Sequence, residues 1–164
     1  GVVLDSTYPI YRFEFINIHP ATDNAEFTFN MSIDAGSNYN VTKTTTYFNT
    51  YHAEDGSGAG LGYNTNQDLA QSTAFQTLAE DVGADNDQNL GGELTIYNPS
   101  SSVFVKHFMS RTSVTHGGNY MQDVYAAGYG NTTSDVDAIQ FKFSSGAIGS
   151  GKIKLYGIKD SWWA

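Results

Sequence analysis

The stretch "FTFNMSI", Phe27 to Ile33, decides the fold. Phe27, Phe29, Met31 and Ile33 are apolar, and Thr28, Asn30 and Ser32 between them are polar. A period of two sends successive side chains to opposite faces, so this reads as a strand with one face on a core. Working outward, "YPIYRFEFINI" (Tyr8–Ile18) alternates too. It puts Tyr11, Phe13 and Phe15 on one side, and Ile10, Arg12, Glu14 and Ile16 on the other. Between the two runs, "HPATDNAE" supplies a turn from proline and Asx residues.

The same grammar continues along the chain. "VTKTTTYFNTYH" (Val41–His52) is β-branched and aromatic, and "EDGSGAGLG" after it reads as a flexible glycine loop. Gly92–Tyr97 and Val103–Thr112 read as a hairpin across "NPSSS", where proline marks the turn. "YMQDVYAAGYG" (Tyr120–Gly130), "DAIQFKFSSG" (Asp137–Gly146) and "GKIKLYGI" (Gly151–Ile158) complete the series. Asn66 to Glu80 is ambiguous: "QDLAQSTAFQTLAE" fits a short helix capped by Asn66 or Asp68, while "AFQTLAE" fits a strand. With no βαβ alternation, the expectation is an all-β fold. Residues 1–164 are read as one antiparallel β-sandwich, jelly-roll-like, of about eight or nine strands.

Composition narrows the function. The chain has 164 residues, a net charge of -9 and eight Lys and Arg. Nucleic-acid binding rests on neutralising phosphates, and an anionic membrane surface asks for the same cations, so neither partner is expected. No apolar run approaches the ~20 residues of a membrane span, and no secretory leader opens the sequence. The first residue is glycine, which suits a processed chain or a piece of something longer. Cysteine is absent, which fits assembly in a reducing cytosol and removes thiolate metal sites.

Residues with catalytic potential do not form a motif. His19, His52, His107 and His116 lack H-x-H or H-E-x-x-H spacing. "HAED" (His52–Asp55) reads as a strand-end histidine beside a solvated acidic turn. His107 reads as a core or interface residue beside Val103, Val105 and Met109, and His19 as structural. "DNDQN" (Asp85–Asn89) begins like a calcium loop. It then places Leu90 where glycine is needed and Ile96 where a bidentate Glu belongs, and so reads as a self-bonded Asx loop. There is no G-x-S-x-G elbow, and "GSGAGLG" precedes neither a helix nor a Lys-Ser/Thr pair. No catalytic residue, metal site or cofactor is expected. Aromatic residues remain: Tyr63 and Tyr120, near turns, are candidate ligand contacts, and Trp162 and Trp163 in "SWWA" are candidate interface anchors.

Four stretches carry a resemblance: "FEFINIHPATDNAEFTFNMS", "DLAQSTAFQTLAEDVGADNDQ", "GELTIYNPSSSVFVKHFMSR" and "AAGYGNTTSDVDAIQFKFSSGAIGSGKIKLYGI". Together they resemble virion structural proteins of tailed bacteriophages, especially marine and cyanobacterial ones, of the tail-fibre or decoration kind. The likeness runs from about Phe13 to Ile158; "KDSWWA" lies beyond it. It implies a β-rich domain located on the virion, assembled in the host cytoplasm. It also implies a homo-oligomer, with a trimer expected, in contact with other virion proteins and with a role in host attachment.

Three functions follow as expectations. A non-enzymatic fibre or decoration domain predicts a broad subunit contact lined by aromatic and aliphatic side chains. A carbohydrate-binding module reading host surface glycans predicts exposed aromatics beside Asn and Asp. A polysaccharide-cleaving enzyme predicts paired carboxylates in a groove. The first is the leading expectation, and no enzymatic activity is expected.

Overall fold

Alternating runs build eleven strands among the described residues, which are 2–160 of this computed structural model. They are β1 (Val2–Val3), β2 (Ile10–Pro20), β3 (Ala25–Ser32), β4 (Lys43–Ala53), β5 (Ala59–Tyr63) and β6 (Gln76–Val82). After them come β7 (Leu90–Tyr97), β8 (Lys106–His116), β9 (Tyr120–Gly130), β10 (Ala138–Phe143) and β11 (Ile148–Ile158). Every pairing is antiparallel, and no helix occurs among the described residues. The count corrects the expected eight or nine. The additional strands are β1, two residues long, and β5, formed by the end of the glycine run.

The strands form two layers joined at a seam. The smaller layer has the order β1-β10-β3-β6, and the larger β11-β2-β7-β8-β9-β4-β5. β6 and β8 meet through one pair, Val82 and His116. The layers close over an aromatic core in which Phe13 and Phe15 of β2 meet Phe141 of β10 at 5.0 and 5.3 Å between ring centres. Phe15 also meets Phe27, and Phe29 of β3 meets Phe108 of β8 at 4.9 Å, all edge to face. The sandwich is thus as expected, but its connectivity does not confirm a jelly roll, because β7, β8 and β9 run as a meander within one layer.

β3 departs from the half-buried reading. All its residues except Glu26 are buried, while Ile33, just past its end, is exposed. The polar side chains are buried because each finds a partner. Thr28 Oγ1 donates to Lys142 O at 2.9 Å, Asn30 Nδ2 to Tyr39 O and Thr73 O at 2.8 and 3.0 Å, and Ser32 Oγ to Asp34 at 2.8 Å. The ambiguous segment resolves as a loop followed by β6, since pairing with β3 overrides the helix propensity of its Ala, Leu and Gln residues.

Two lysines are fully buried. Lys43 and Lys106 both pair with Gly130 from opposite sides. Lys106 Nζ gathers the carbonyls of Ser101, Phe104 and Thr132, which closes the β7–β8 connection. That closure delays β8 to Lys106 and leaves Val103 and Phe104 exposed, against the expected strand start at Val103. Lys43 Nζ donates to Asn30 Oδ1 and Val41 O, and no carboxylate pairs with it among the described residues. Burial pushes its ammonium down to about 7.

A buried carboxylate lies beside the seam. Glu80 accepts from Asn49 Nδ2 and, at 2.9 Å, from Asn64 Nδ2. Burial raises its carboxyl above the usual range, and the charges of Asp81 and Glu26 add to this. Glu80→Leu keeps the volume and strands both amides. We expect a loss of about 2 kcal/mol, read from the urea midpoint; an unchanged midpoint would show that these bonds stabilise nothing.

Candidate functional site

Register across the large layer lines up one row of outward side chains over all seven strands. The row runs Lys154, Glu14, Glu93, Arg111, Tyr125, Phe48, Tyr63, each opposite the next. Alternation explains the direction: on β8 the even residues from Lys106 to His116 are buried, and His107, Met109, Arg111 and Ser113 face out. The same rule corrects His107 as a core residue, since it lies exposed on this face near Tyr129.

Four members of the row are ionic and three aromatic. Arg111 holds Asp123 with two bonds, Nε at 3.0 Å and Nη2 at 2.8 Å. Its guanidinium lies 5.1 Å from the centre of the Tyr125 ring. Tyr125 stacks on Phe48 at 4.8 Å with planes 3° apart. At the far end, Tyr63 donates its hydroxyl to Asp68 at 2.5 Å. On the ionic side, Arg12 Nε stands 3.6 Å from Glu93.

Two shallow grooves flank Arg111 and Tyr125. One, of about 530 Å³, is lined by Glu14, Gly91, Glu93, Met121 and Asp123. The other, of about 460 Å³, is lined by Thr46, Tyr97, Met109, Ala127 and Tyr129. The first groove contains three carboxylates, so the acid-pair criterion of a glycosidase has to be weighed. A general acid needs a carboxyl raised toward neutrality. Hydrogen bonds from Arg111 hold Asp123 below the usual carboxylate range instead, and arginines bracket Glu93. The arrangement stores fixed charge of both signs.

The two expected ligand tyrosines are not brought together. Tyr63 faces out at the β5 edge, whereas Tyr120 belongs to the opposite face and pairs with Ala53, five residues along β4 from Phe48, the partner of Tyr63. Tyr120 lines a cleft of about 630 Å³ between the β4–β5 and β8–β9 turns. Its partner there is Tyr51, with ring centres 5.7 Å apart. Sequence reading missed Tyr51, although its aromatic character near a predicted turn was the available signal. Trp162 and Trp163 lie outside the described residues.

The remaining motifs have structural partners. His19 Nδ1 bonds Gln88 O at 2.7 Å, and the Asp85–Asn89 loop closes on itself through Gln88 and Asp85. His52 points to the outer face, while Glu54 and Asp55 line the cleft on the other side. No family model, curated protein or solved structure matches the chain.

Proposed function

We propose that this chain is a non-enzymatic structural part of a bacteriophage virion. On this reading it is a fibre or decoration domain that assembles with copies of itself, three being the expected number. It meets other virion proteins, and the host surface during attachment. Its location is the particle, after assembly in the host cytoplasm.

The observation that carries this reading is the uncovered outer face of the large layer. Phe48, Leu61, Tyr63, Met109 and Met121 are all exposed there, in a sheet seven strands wide. A cluster of exposed apolar side chains on one face, interleaved with charge, is the composition of interaction sites. Aromatic residues, Met and Arg are the residue types enriched where proteins meet. A second copy fits because the face offers both signs of charge, Lys154 and Arg111 beside Glu14 and Glu93. The Tyr51–Tyr120 cleft favours a second role, contact with host-surface glycan.

Sedimentation over a wide concentration range tests the assembly. We expect the native chain to associate, and Met109→Lys combined with Leu61→Lys to sediment as a monomer with unchanged secondary structure. A native chain that stays monomeric at the highest concentration would overturn the assembly reading.

A further inference from the structure

The cleft between Tyr51 and Tyr120 has a built geometry. Tyr51 stands opposite Gln122 and Ala53 opposite Tyr120, so the tyrosines are diagonal neighbours on one face of β4 and β9. Both rings lie close over glycines. A Cβ on Gly60 would come within 2.8 Å of the Tyr51 ring, and one on Gly118 within 2.6 Å of the Tyr120 ring. Only glycine leaves room for the rings to lie there. The two turns are fastened to each other by Glu54 N–H donating to Asn119 O at 3.1 Å.

Tyr120 is fixed further. Its ring stacks on His116 with centres 3.9 Å apart, which holds its orientation in the cleft. Gly118 N–H donates to His116 Nδ1 at 2.8 Å. Burial lowers the pKa of His116 and favours the neutral ring, which then carries its proton on Nε2. Nε2 lies 2.8 Å from Tyr120 Oη and 3.4 Å from Asp81 Oδ2, so its proton is shared between the phenol and a carboxylate that anchors the His116 ring. Around the rings stand Glu54, Asp55, Ser57 and Asn119, and no lysine or arginine lines the cleft.

We propose that this cleft binds a neutral pyranose sugar, with its apolar ring face on Tyr51 and Tyr120 and its hydroxyls on Asn119 and the Glu54–Asp55 pair. The volume falls in the range of small-molecule sites, and a few polar groups beside aromatic surface are their usual lining. Charge selects within the sugars. Asp55 stays ionised, its carboxyl held below the usual range by the Ser57 hydroxyl and N–H. A uronic or sialic acid would therefore meet like charge without a cation to offset it. The proposal rests on the glycan-contact role and is independent of assembly through the outer face.

Saturation-transfer NMR tests it with glucose, galactose, mannose and glucuronate, each at tens of millimolar. At least one neutral hexose is expected to receive saturation, and glucuronate none. Tyr51→Ala should abolish the signal. Asn119→Gly, which tolerates the left-handed backbone at that position (φ 60°), should weaken it while the spectrum stays folded. Tyr63→Ala, on the other face, should leave it intact. Silence from all three hexoses, binding that survives Tyr51→Ala, or equal binding of glucuronate would overturn the proposal. Sedimentation of the same samples separates this outcome from a failure of the assembly reading.

Discussion

Lys43→Met is expected to melt about 10 °C above the native chain near pH 6.5, from a gain on the order of 4 kcal/mol. The native ammonium is fully buried with two neutral acceptors and no counter-charge. Its pKa falls from 10.5 unfolded to about 7 folded. Above the unfolded value the amine is neutral in both states, and the penalty vanishes. As pH falls from 10.5 toward 7, the unfolded chain takes up a proton that the folded chain refuses, and native stability declines. Below 7 the penalty is complete. Methionine fills a similar volume without charge, and Asn30 Oδ1 keeps a donor in Met31 N–H at 2.9 Å. The advantage should therefore shrink by more than half by about pH 9.5. Thermal melts of both proteins at the two pH values measure it. A gain that does not vary with pH, or a variant that melts lower near pH 6.5, would show that Lys43 is charged at little cost.

Phe27→Ala is expected to lose about 4 kcal/mol, against roughly 5–15 kcal/mol for a whole domain. Phe27 is fully buried and touches three rings: Phe15 at 5.1 Å, Phe141 at 5.9 Å and Phe143 at 5.3 Å. These rings come from both layers, so the surroundings cannot close the gap without separating strands from their ladders. Phe104→Ala is the matched control: at 68% exposure, its removal should change stability by less than about 0.5 kcal/mol. Urea unfolding of both variants decides the matter. A loss below about 1 kcal/mol for Phe27→Ala would mean that the interlayer aromatics are not the main cohesion of the fold.

Strand identity was legible where alternation was clean. Tyr120–Gly130 emerges with the bounds read from sequence, and β2 and β4 differ by a residue or two at their ends. Where reading failed, a distant partner made the decision. The burial of Thr28 and Asn30 depends on Lys142, Tyr39 and Thr73, which local alternation cannot reveal. β5 was hidden because glycine signals flexibility, although here Gly60 makes room for the Tyr51 ring. Tyr120 was found from its place beside a turn, but its pairing with Tyr51 follows from the β4–β9 register. The outer row draws one residue from each of seven strands, so no single strand's pattern reveals it.

β11 borders the large layer and is exposed along nearly its whole length. Its register slips on both sides of Ser150, and Lys152 and Lys154 stand outward from it. An incoming backbone would find the ladder interrupted and would have to strip water from two ammonium groups to dock. Strand addition along this border is thereby disfavoured, which keeps one copy's sheet from extending into the next as an amyloid ladder would.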